Sequence, residues 1–264
     1  EYIDIFGGGT KTHDPKKTYV PFTHTEYLGG GLYAHKNLTS WLNAETFYAL
    51  KTEGTADYIK TRSINRNWIG VKLLSPENQR LSYDILYVNE FGSEDGKQIK
   101  AHGFGFKTIY RFDDLPATPE LSLGYYYASG DNPDDDIIQT FDPVYGSKSK
   151  FHGFMGLVSW SNLINPQVAL KFTAPGKRMY IELKHMLFYI PEPDNCLFLN
   201  TMKIREGSNH LGNETNLYFR HQHNKHWQFT GVLGYFNPGD IEQINFRDPE
   251  DSFWMALQVQ FTLN

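Results

Sequence analysis

The sequence predicts an all-β protein, an antiparallel up-and-down β-barrel that crosses a membrane with its strands. Three observations favour this fold class. Apolar residues recur with a period of two along most of the 264 residues. Aromatic residues make up 16% of the chain although its mean hydropathy is −0.51, as expected when each inward polar residue offsets an outward apolar one. No apolar run approaches the roughly 20 residues that a membrane helix needs.

The alternation divides the chain into thirteen predicted strands. It is clearest in residues 251–262, where every odd position from Phe253 to Phe261 is apolar. Turn-forming sequences such as Ser75–Asn78 and Glu94–Lys97 separate neighbouring strands. The predicted strands are 1–7, 26–36, 40–51, 61–74, 79–91, 98–112, 120–129, 151–160, 166–173, 178–190, 213–222, 226–235 and 251–262.

Composition does not change along the chain, so residues 1–264 are predicted to form a single barrel domain. Bacterial barrels have an even number of strands, so a count of thirteen is wrong or incomplete. Either residues 17–25 hold a further strand around Pro21, or strands of a larger barrel precede this sequence. Counting back from a periplasmic C-terminus puts the segments 191–212 and 236–250 outside the cell. The segment 130–150 then faces the periplasm or folds inward as a plug.

Charge and cysteine content exclude several classes of protein. The net charge is −5, so no strong positive field recruits nucleic acid. The single cysteine, Cys196, excludes an internal disulfide framework and a cysteine-rich metal cluster. No Gly-x-Ser-x-Gly motif marks a nucleophile, and no catalytic residue is predicted.

The predicted inward faces of the strands carry more basic than acidic residues. A basic lumen lowers the electrostatic barrier for anions, so these residues are candidates for lining a pore and binding its solute. Alternatively, they pair with acids on neighbouring strands and simply fill a polar interior. The basic residues are Lys51, Arg66, Lys72, Arg80, Lys107, Arg111, Lys171, Arg178, Lys184 and Arg220. The acids are Glu45, Asp84, Glu90, Glu120, Glu182 and Glu214.

No cofactor is predicted, with one open case in the acidic segment 131–136. Its carboxylates could supply oxygen ligands to calcium, although the order of an EF-hand loop is absent and an ordinary solvated loop is favoured. His221, His223 and His226 are expected to form an interfacial turn, because a zinc site usually needs a further ligand.

Four motifs in the second half of the chain resemble the alginate export family of outer-membrane porins. They occur in the order found in that family, spread over residues 120–262, with weaker similarity back toward Tyr2. The motifs are Tyr125–Asp135 (YYYASGDNPDD), Phe141–Gly146 (FDPVYG) followed by Lys150–Gly153, Leu211–Leu217 (LGNETNL) and Gly234–Asp240 (GYFNPGD).

The resemblance implies a barrel in the bacterial outer membrane, embedded in lipid, that passes anionic or carbohydrate solutes such as alginate through a basic lumen. It also implies that a periplasmic partner could deliver the solute. Family barrels are larger, which implies either that strands are missing before this sequence or that this is a smaller closed barrel. Two alternatives remain at this point: an outer-membrane barrel hydrolase and a soluble β-sandwich that binds carbohydrate.

Overall fold

The computed structural model describes residues 2–13, 24–56, 61–76, 79–132, 134–143, 152–193, 197–198, 202–204, 207–243 and 250–263. Most of these residues lie in β-strands. The long strands are β1 (Tyr2–His13), β2 (His24–Asn37), β3 (Asn43–Ala56), β4 (Thr61–Leu74), β5 (Leu81–Glu94), β6 (Lys97–Arg111), β7 (Glu120–Ala128), β9 (Leu163–Thr173), β10 (Met179–Tyr189), β13 (His210–Gln222), β14 (Trp227–Pro238) and β16 (Ser252–Phe261). The short strands are β8 (Ile137–Ile138), β11 (Leu197–Phe198), β12 (Met202–Ile204) and β15 (Ile241–Gln243), and one 3-10 turn spans Pro175–Lys177.

The long strands form one antiparallel sheet in which each strand pairs with the long strand that follows it in the chain. The order is β1-β2-β3-β4-β5-β6-β7-β9-β10-β13-β14-β16. Strand β8 pairs in parallel with β6, and β11, β12 and β15 form a small second sheet. The fold class is therefore all-β, an antiparallel up-and-down barrel wall, as the alternation predicts. Among the described residues, β1 and β16 end the path and are not paired with each other.

Within the described residues the main sheet has thirteen strands, but its membership differs from the prediction. The predicted strand at 151–160 is wrong: the described residues 152–160 lie in turns and irregular backbone, with His152 and Val158 buried. The thirteenth member is the two-residue strand β8. Twelve of the strands among the described residues are long, which is an even number, as in bacterial barrels. The alternative strand around Pro21 falls mostly on residues outside the described part of the chain.

The register assigns every long strand an inward and an outward face, because directly opposed residues in antiparallel strands share a face. Trp68, Glu90 and Ala101 are successive register partners, and all three are buried on the inward face. The outward face carries exposed apolar side chains, as a lipid-facing wall requires. These include Ile69, Val71, Tyr87, Leu123, Val168, Phe172, Leu183, Leu233, Met255 and Leu257. No helix in the described ranges is both long and apolar enough to cross a membrane.

All the long connections leave the sheet at one end, which we call the loop end. With no strand at 152–160, the segment between β7 and β9 emerges at the same end as the segments before β13 and β16. The prediction that segment 130–150 lies at the opposite end is therefore wrong. Of its described residues, Phe141 and Asp142 contact the inward wall, which agrees with the alternative of inward folding. The other end, the turn end, carries short connections such as 112–119 and 223–226.

The core lies inside the wall, where the described residues 137–143 and 152–162, here called the inner segment, pack on the inward face. Two clusters of buried apolar residues result. The first joins Ala49, Trp68, Val88, Ile99, Ala101 and Ala128 of β3–β7 to Phe141, with Ile138 and Trp160 packed against it. The second joins Val158 to Leu163, Met186, Phe188, Ile190, Leu211 and Phe236, with Met155 and Leu157 packed against it.

The strands differ in length around the wall. Strands β2–β6 have 14 or 15 residues, whereas β7, β9 and β10 have 9 to 11. Outward positions toward the loop end of β4 and β5 include the polar residues Asn65, Asn67 and Asn89. The Nδ2 of Asn67 donates a hydrogen bond to Oδ1 of Asn65 at 3.0 Å, and the hydroxyl of Tyr48 donates to Oδ1 of Asn67 at 2.6 Å.

The candidate pore and its inner wall

The inward face has two parts. The covered half, toward the loop end, is overlaid by the inner segment and is mainly apolar. The open half, toward the turn end, carries charged side chains that are at least partly exposed, such as Lys107, Glu120 and Lys171. A solute that enters the barrel from the turn end would meet the open half first.

Arg66 lies in the covered half and holds carboxylates rather than facing an open lumen. Its guanidinium forms ion pairs with Glu90 and, at 2.6 Å, with Oε2 of Glu94. Arg66 is 9% exposed and Glu90 is fully buried. A guanidinium pairs well with carboxylates in such a site because its N–H groups form a rigid fork.

The same cluster holds the inner segment at Asp142. The backbone N–H of Asp142 donates to Oε2 of Glu90 at 2.8 Å, and its carbonyl accepts from Nε1 of Trp68 at 2.9 Å. The Asp142 carboxylate lies 3.9 Å from Nη1 of Arg66. Arg66 and Glu90 therefore act together as an attachment point between the wall and the inner segment.

A second attachment point lies on β13. The backbone N–H of Met155 donates to Oε1 of Glu214 at 3.2 Å, and that of Phe154 donates to Oδ1 of Asn216 at 2.9 Å. Asn216 also donates from Nδ2 to Oε1 of Glu214 at 2.7 Å. The approach is so close that a Cβ on Gly153, whose φ is +103°, would meet the Glu214 carboxylate.

His152 is buried in the same region. Its Nδ1 lies 3.1 Å from Oδ1 of Asn165, and its ring packs edge-on against Tyr126 at a centroid distance of 5.4 Å. Burial disfavours the imidazolium and lowers the pKa of His152 to about 4, against the partly opposing hydrogen bond to Asn165. The histidine is therefore neutral at neutral pH.

The open half carries a row of alternating charge across four strands. Arg111 faces Glu120, Glu120 faces Lys171, and Lys171 faces Glu182 in the register of β6, β7, β9 and β10. The Nζ of Lys171 lies 3.2 Å from Oε2 of Glu120. Cross-strand pairs of this kind stabilise a sheet modestly and neutralise much of the local charge.

An open pocket lies beside this row, between β6, β7, β9 and β10. Lys107 and Lys184 stand on its side nearer the loop end, and Glu182 stands on the opposite side. Gly124 and Ala169 give it depth, because their small side chains leave space between the strands. Gln167 and Ser122 supply uncharged hydrogen-bonding groups.

The remaining predicted site residues either form ion pairs with neighbouring acids or lie near the turn end. Lys72 lies 3.0 Å from Asp84 and 3.8 Å from Glu45, and Lys51 lies 3.8 Å from Glu53. Arg80 pairs with Asp114 at 2.8 Å, Arg111 pairs with Asp113, Arg220 binds Gln228, and Arg178 is exposed. All ten basic residues thus fall at inward positions or at the strand ends. Whether they bind a solute stays a prediction.

Sequence reasoning missed several inward residues. The register adds the acids Asp4, Glu53 and Glu94 and the base Lys97 to the described inward face, so the basic excess is smaller than the sequence predicts. Cross-strand ion pairing, the alternative that the sequence leaves open, accounts for several of these charges. Asn165 and Asn216 were also missed, since nothing in their local sequence marks them as contacts of a distant segment.

In the acidic segment 131–136, carboxylates accept hydrogen bonds from nearby backbone N–H groups or pair with a lysine. Asp131 accepts a hydrogen bond from the backbone of Gln139 at 2.7 Å, and Asp135 accepts from the backbone of Ile137 at 2.8 Å. Lys97 lies 3.3 Å from Asp136. Among the described residues, no three His, Cys, Asp or Glu side chains are grouped to hold a metal ion. Calcium binding at residues 131–136 stays a prediction.

Comparison with known proteins decides the family. The family model "Alginate export" matches residues 23–247, which is most of the chain. The chain belongs to the alginate export family. No curated protein sequence matches it.

Two solved structures are similar in chain trace. The NanC porin in a rhombohedral crystal form has 10% identity and a TM-score of 0.43, covering 98% of this chain and 99% of that one. OccK11 (OpdR) of Pseudomonas aeruginosa has 12% identity and a TM-score of 0.44, covering 99% of this chain and 71% of that one.

Membership of the alginate export family assigns this barrel to the bacterial outer membrane and supports a channel rather than an enzyme. The exposed apolar outward face is the surface that such a protein presents to lipid. A periplasmic partner that delivers the solute stays a prediction.

Proposed function

We propose that this member of the alginate export family passes anionic or carbohydrate solutes, uronate polysaccharides among them, across the outer membrane. The observation that carries the proposal is the pocket of the open half, where three lysines, Lys107, Lys171 and Lys184, converge on one stretch of inward wall. These three are the residues that we expect to contact the solute.

The chemistry of the pocket suits a hydroxyl-rich solute that carries carboxylates. Ammonium groups bind carboxylates as point charges, and Ser122 and Gln167 can donate to and accept from sugar hydroxyls. Glu120 and Glu182 offset part of the positive charge. A partly balanced site binds an anion weakly enough for it to leave again, which conduction requires.

Aromatic side chains continue the wall next to the pocket. The rings of Tyr180 and Tyr218 stack at a centroid distance of 5.3 Å, and Nζ of Lys171 lies 5.1 Å from the Tyr180 centroid. The rings and hydroxyl groups of these tyrosines, next to the pocket, offer apolar and polar contacts of the kind that suit sugars.

The reversal potential of the purified protein in a planar bilayer, under a potassium chloride gradient, tests the proposal. We expect an anion-selective reversal, and we expect oligouronates added on one side to block the current more strongly than a neutral oligosaccharide of equal length. Cation preference, or equal block by both sugars, would contradict an anionic solute. No conductance from folded, inserted protein would contradict the channel itself.

A further inference from the structure

We propose that Met179, His221 and His223 form a Cu(I) site on the outward side of the turn end. Its ligands are two imidazole nitrogens and the thioether sulfur of the methionine. The site lies outside the barrel, apart from the pocket of the open half, so the proposal goes beyond the channel function and does not depend on it.

The register places two of the ligands on neighbouring strands. Met179 on β10 is the direct partner of His221 on β13, and directly opposed residues share a face. That face is the outward one, because Glu182 of β10 lines the inward pocket and Met179 has the opposite parity. The Cβ atoms of opposed residues lie about 4.5–5.5 Å apart. A methionine side chain is flexible enough to bring its sulfur to an ion that the histidine holds.

The two histidines contact each other through their rings. The ring centroids of His221 and His223 are 5.9 Å apart, and the ring planes meet at 53°. Two imidazoles that bind one metal ion at about 2 Å have centroids on the order of 5–6 Å apart. The rings therefore have the separation that a shared ion requires.

A buried nitrogen of His221 points independently to a ligand. Its Nδ1 is buried and has no hydrogen-bond partner among the described residues. The residues opposite it on the neighbouring strands are Met179 and Phe229, and neither side chain donates a hydrogen bond. A buried polar atom in this position calls for a water molecule or an ion as its partner. His223 is exposed, so an ion can reach the pair from solvent.

The turn that carries His223 is held in place by hydrogen bonds. The backbone N–H of His223 donates to the carbonyl of Trp227 at 3.0 Å, and Oδ1 of Asn224 accepts from the backbone N–H of Trp227 at 3.0 Å. The backbone N–H of Gln222 donates to the carbonyl of Arg178 at 2.6 Å, which joins the base of the turn to the residue before β10. Ligands that are held in this way lose little freedom when they bind an ion.

The donor set selects the metal. A thioether is a soft ligand that favours Cu(I), and imidazole also suits copper. Zinc would need a further ligand, and no three His, Cys, Asp or Glu side chains are grouped for it in the part of the chain that the structure describes. His226 contacts β16 instead, with Nδ1 3.0 Å from the carbonyl oxygen of Thr262 and its ring packed on Phe261 at a centroid distance of 5.9 Å.

Anaerobic titration of the detergent-solubilised, tag-free protein with Cu(I), in competition with a colorimetric Cu(I) chelator, tests the site. The parent protein for this test carries Cys196→Ser, because the single thiol would itself bind Cu(I). We expect the parent to bind Cu(I), and we expect His221→Gln and His223→Gln each to lose at least about tenfold in affinity. His226→Gln is the matched control, because it removes a histidine from the same turn, and it should bind like the parent.

X-ray absorption at the copper edge gives a second readout that does not require a variant to fold. We expect nitrogen and sulfur neighbours around copper in the parent, and loss of the sulfur in Met179→Leu. A parent spectrum without sulfur would overturn the proposal. Equal Cu(I) affinity in His221→Gln and the parent would also overturn it and would leave water as the partner of the buried Nδ1. A protein that binds Cu(I) as expected but does not conduct would contradict the channel function and not the copper site.

Discussion

Glu90 and Glu120 are both inward glutamates paired with a basic residue on a neighbouring strand, yet they do different things. Glu90 is fully buried between Arg66 and the inner segment, whereas Glu120 pairs with Lys171 in the half-exposed wall of the open half. Exposed pairs contribute about 0–1 kcal/mol. Removing one partner of a buried pair costs about 3–5 kcal/mol, because the other charge is left uncompensated.

The difference teaches that one alternating wall can serve two purposes. In the covered half, inward residues attach a segment and build a core. In the open half, they set the electrostatic field that a solute meets. The predictions below separate these purposes by changing one half at a time.

The largest effect is expected from Phe141→Ala in the covered half. Phe141 is 1% exposed and packs against Trp160 at a ring-centroid distance of 5.1 Å. Truncating a buried phenylalanine costs about 3–5 kcal/mol, so the inner segment should lose most of its protection against hydrogen exchange and proteolysis. Phe172→Ala, on the outward face, is the control and should leave that protection intact. Equal protection in both variants would mean that the first apolar cluster does not hold the segment.

Acid should weaken the covered half through His152. Its folded pKa of about 4 lies below the ordinary 6.5, so between these values the unfolded chain binds a proton that the folded chain does not. Stability is then complete above about pH 6.5 and is lost as the pH falls toward 4, by up to about 3 kcal/mol. Urea unfolding in lipid vesicles at several pH values measures this loss.

His152→Gln isolates that contribution, because glutamine does not titrate. The variant should show a shallower loss of stability between pH 6.5 and 4 than the wild type. His185→Gln is the matched control, since His185 lies on the outward side with Nδ1 2.9 Å from the Thr215 hydroxyl. If the two variants show the same pH dependence, His152 is not the group responsible.

Gly153→Ala should loosen the second attachment point by an intermediate amount. The new Cβ would meet the Glu214 carboxylate, and φ of +103° adds backbone strain of about 1–3 kcal/mol. Gly156→Ala has a positive φ of +66° but open space around the added Cβ, so it carries strain alone. The difference between the two variants in protection of the Met155 amide against hydrogen exchange measures the effect of the contact between the added Cβ and Glu214. No difference would show that Glu214 moves aside freely.

The smallest effect is expected in the open half. Lys107→Glu places a negative charge beside Lys184 in the pocket, and the reversal potential should shift toward cations by a few-fold in permeability ratio, about 1 kcal/mol. Arg80→Glu is the control, because Arg80 lies in a turn, 50% exposed, and pairs with Asp114. Equal shifts from both would place the selective field at the turn end rather than in the pocket.

Much of the fold could be predicted because alternation is a local signal. It identified the strands and the correct face for residues as far apart as Lys51 and Arg220. It failed at residues 152–160, where apolar side chains pack on the inward wall without pairing as a strand. Periodicity indicates which side chains are buried, but it does not indicate which part of the chain buries them.

The site was less predictable, because its contacts join distant parts of the chain. Parity placed Arg66 inside the barrel, but its link to Asp142 depends on how the inner segment folds. One signal was available in the sequence. On several strands, neighbouring residues that face opposite sides are both apolar, as at Tyr87 and Val88 or Leu187 and Phe188, whereas the inward face of a water-filled wall would be polar.

Because the strands differ in length, the rim of the barrel wall at the loop end is uneven. At about 3.3 Å per residue, a strand of 14 residues is on the order of 15 Å longer than one of 9. The added length of the long strands carries the outward Asn65, Asn67 and Asn89, polar side chains that suit water better than lipid. The wall is therefore higher on the β3–β6 side of the opening than on the β7–β10 side. A long polymer that enters or leaves the barrel at the loop end would meet a lower wall on the β7–β10 side than on the β3–β6 side.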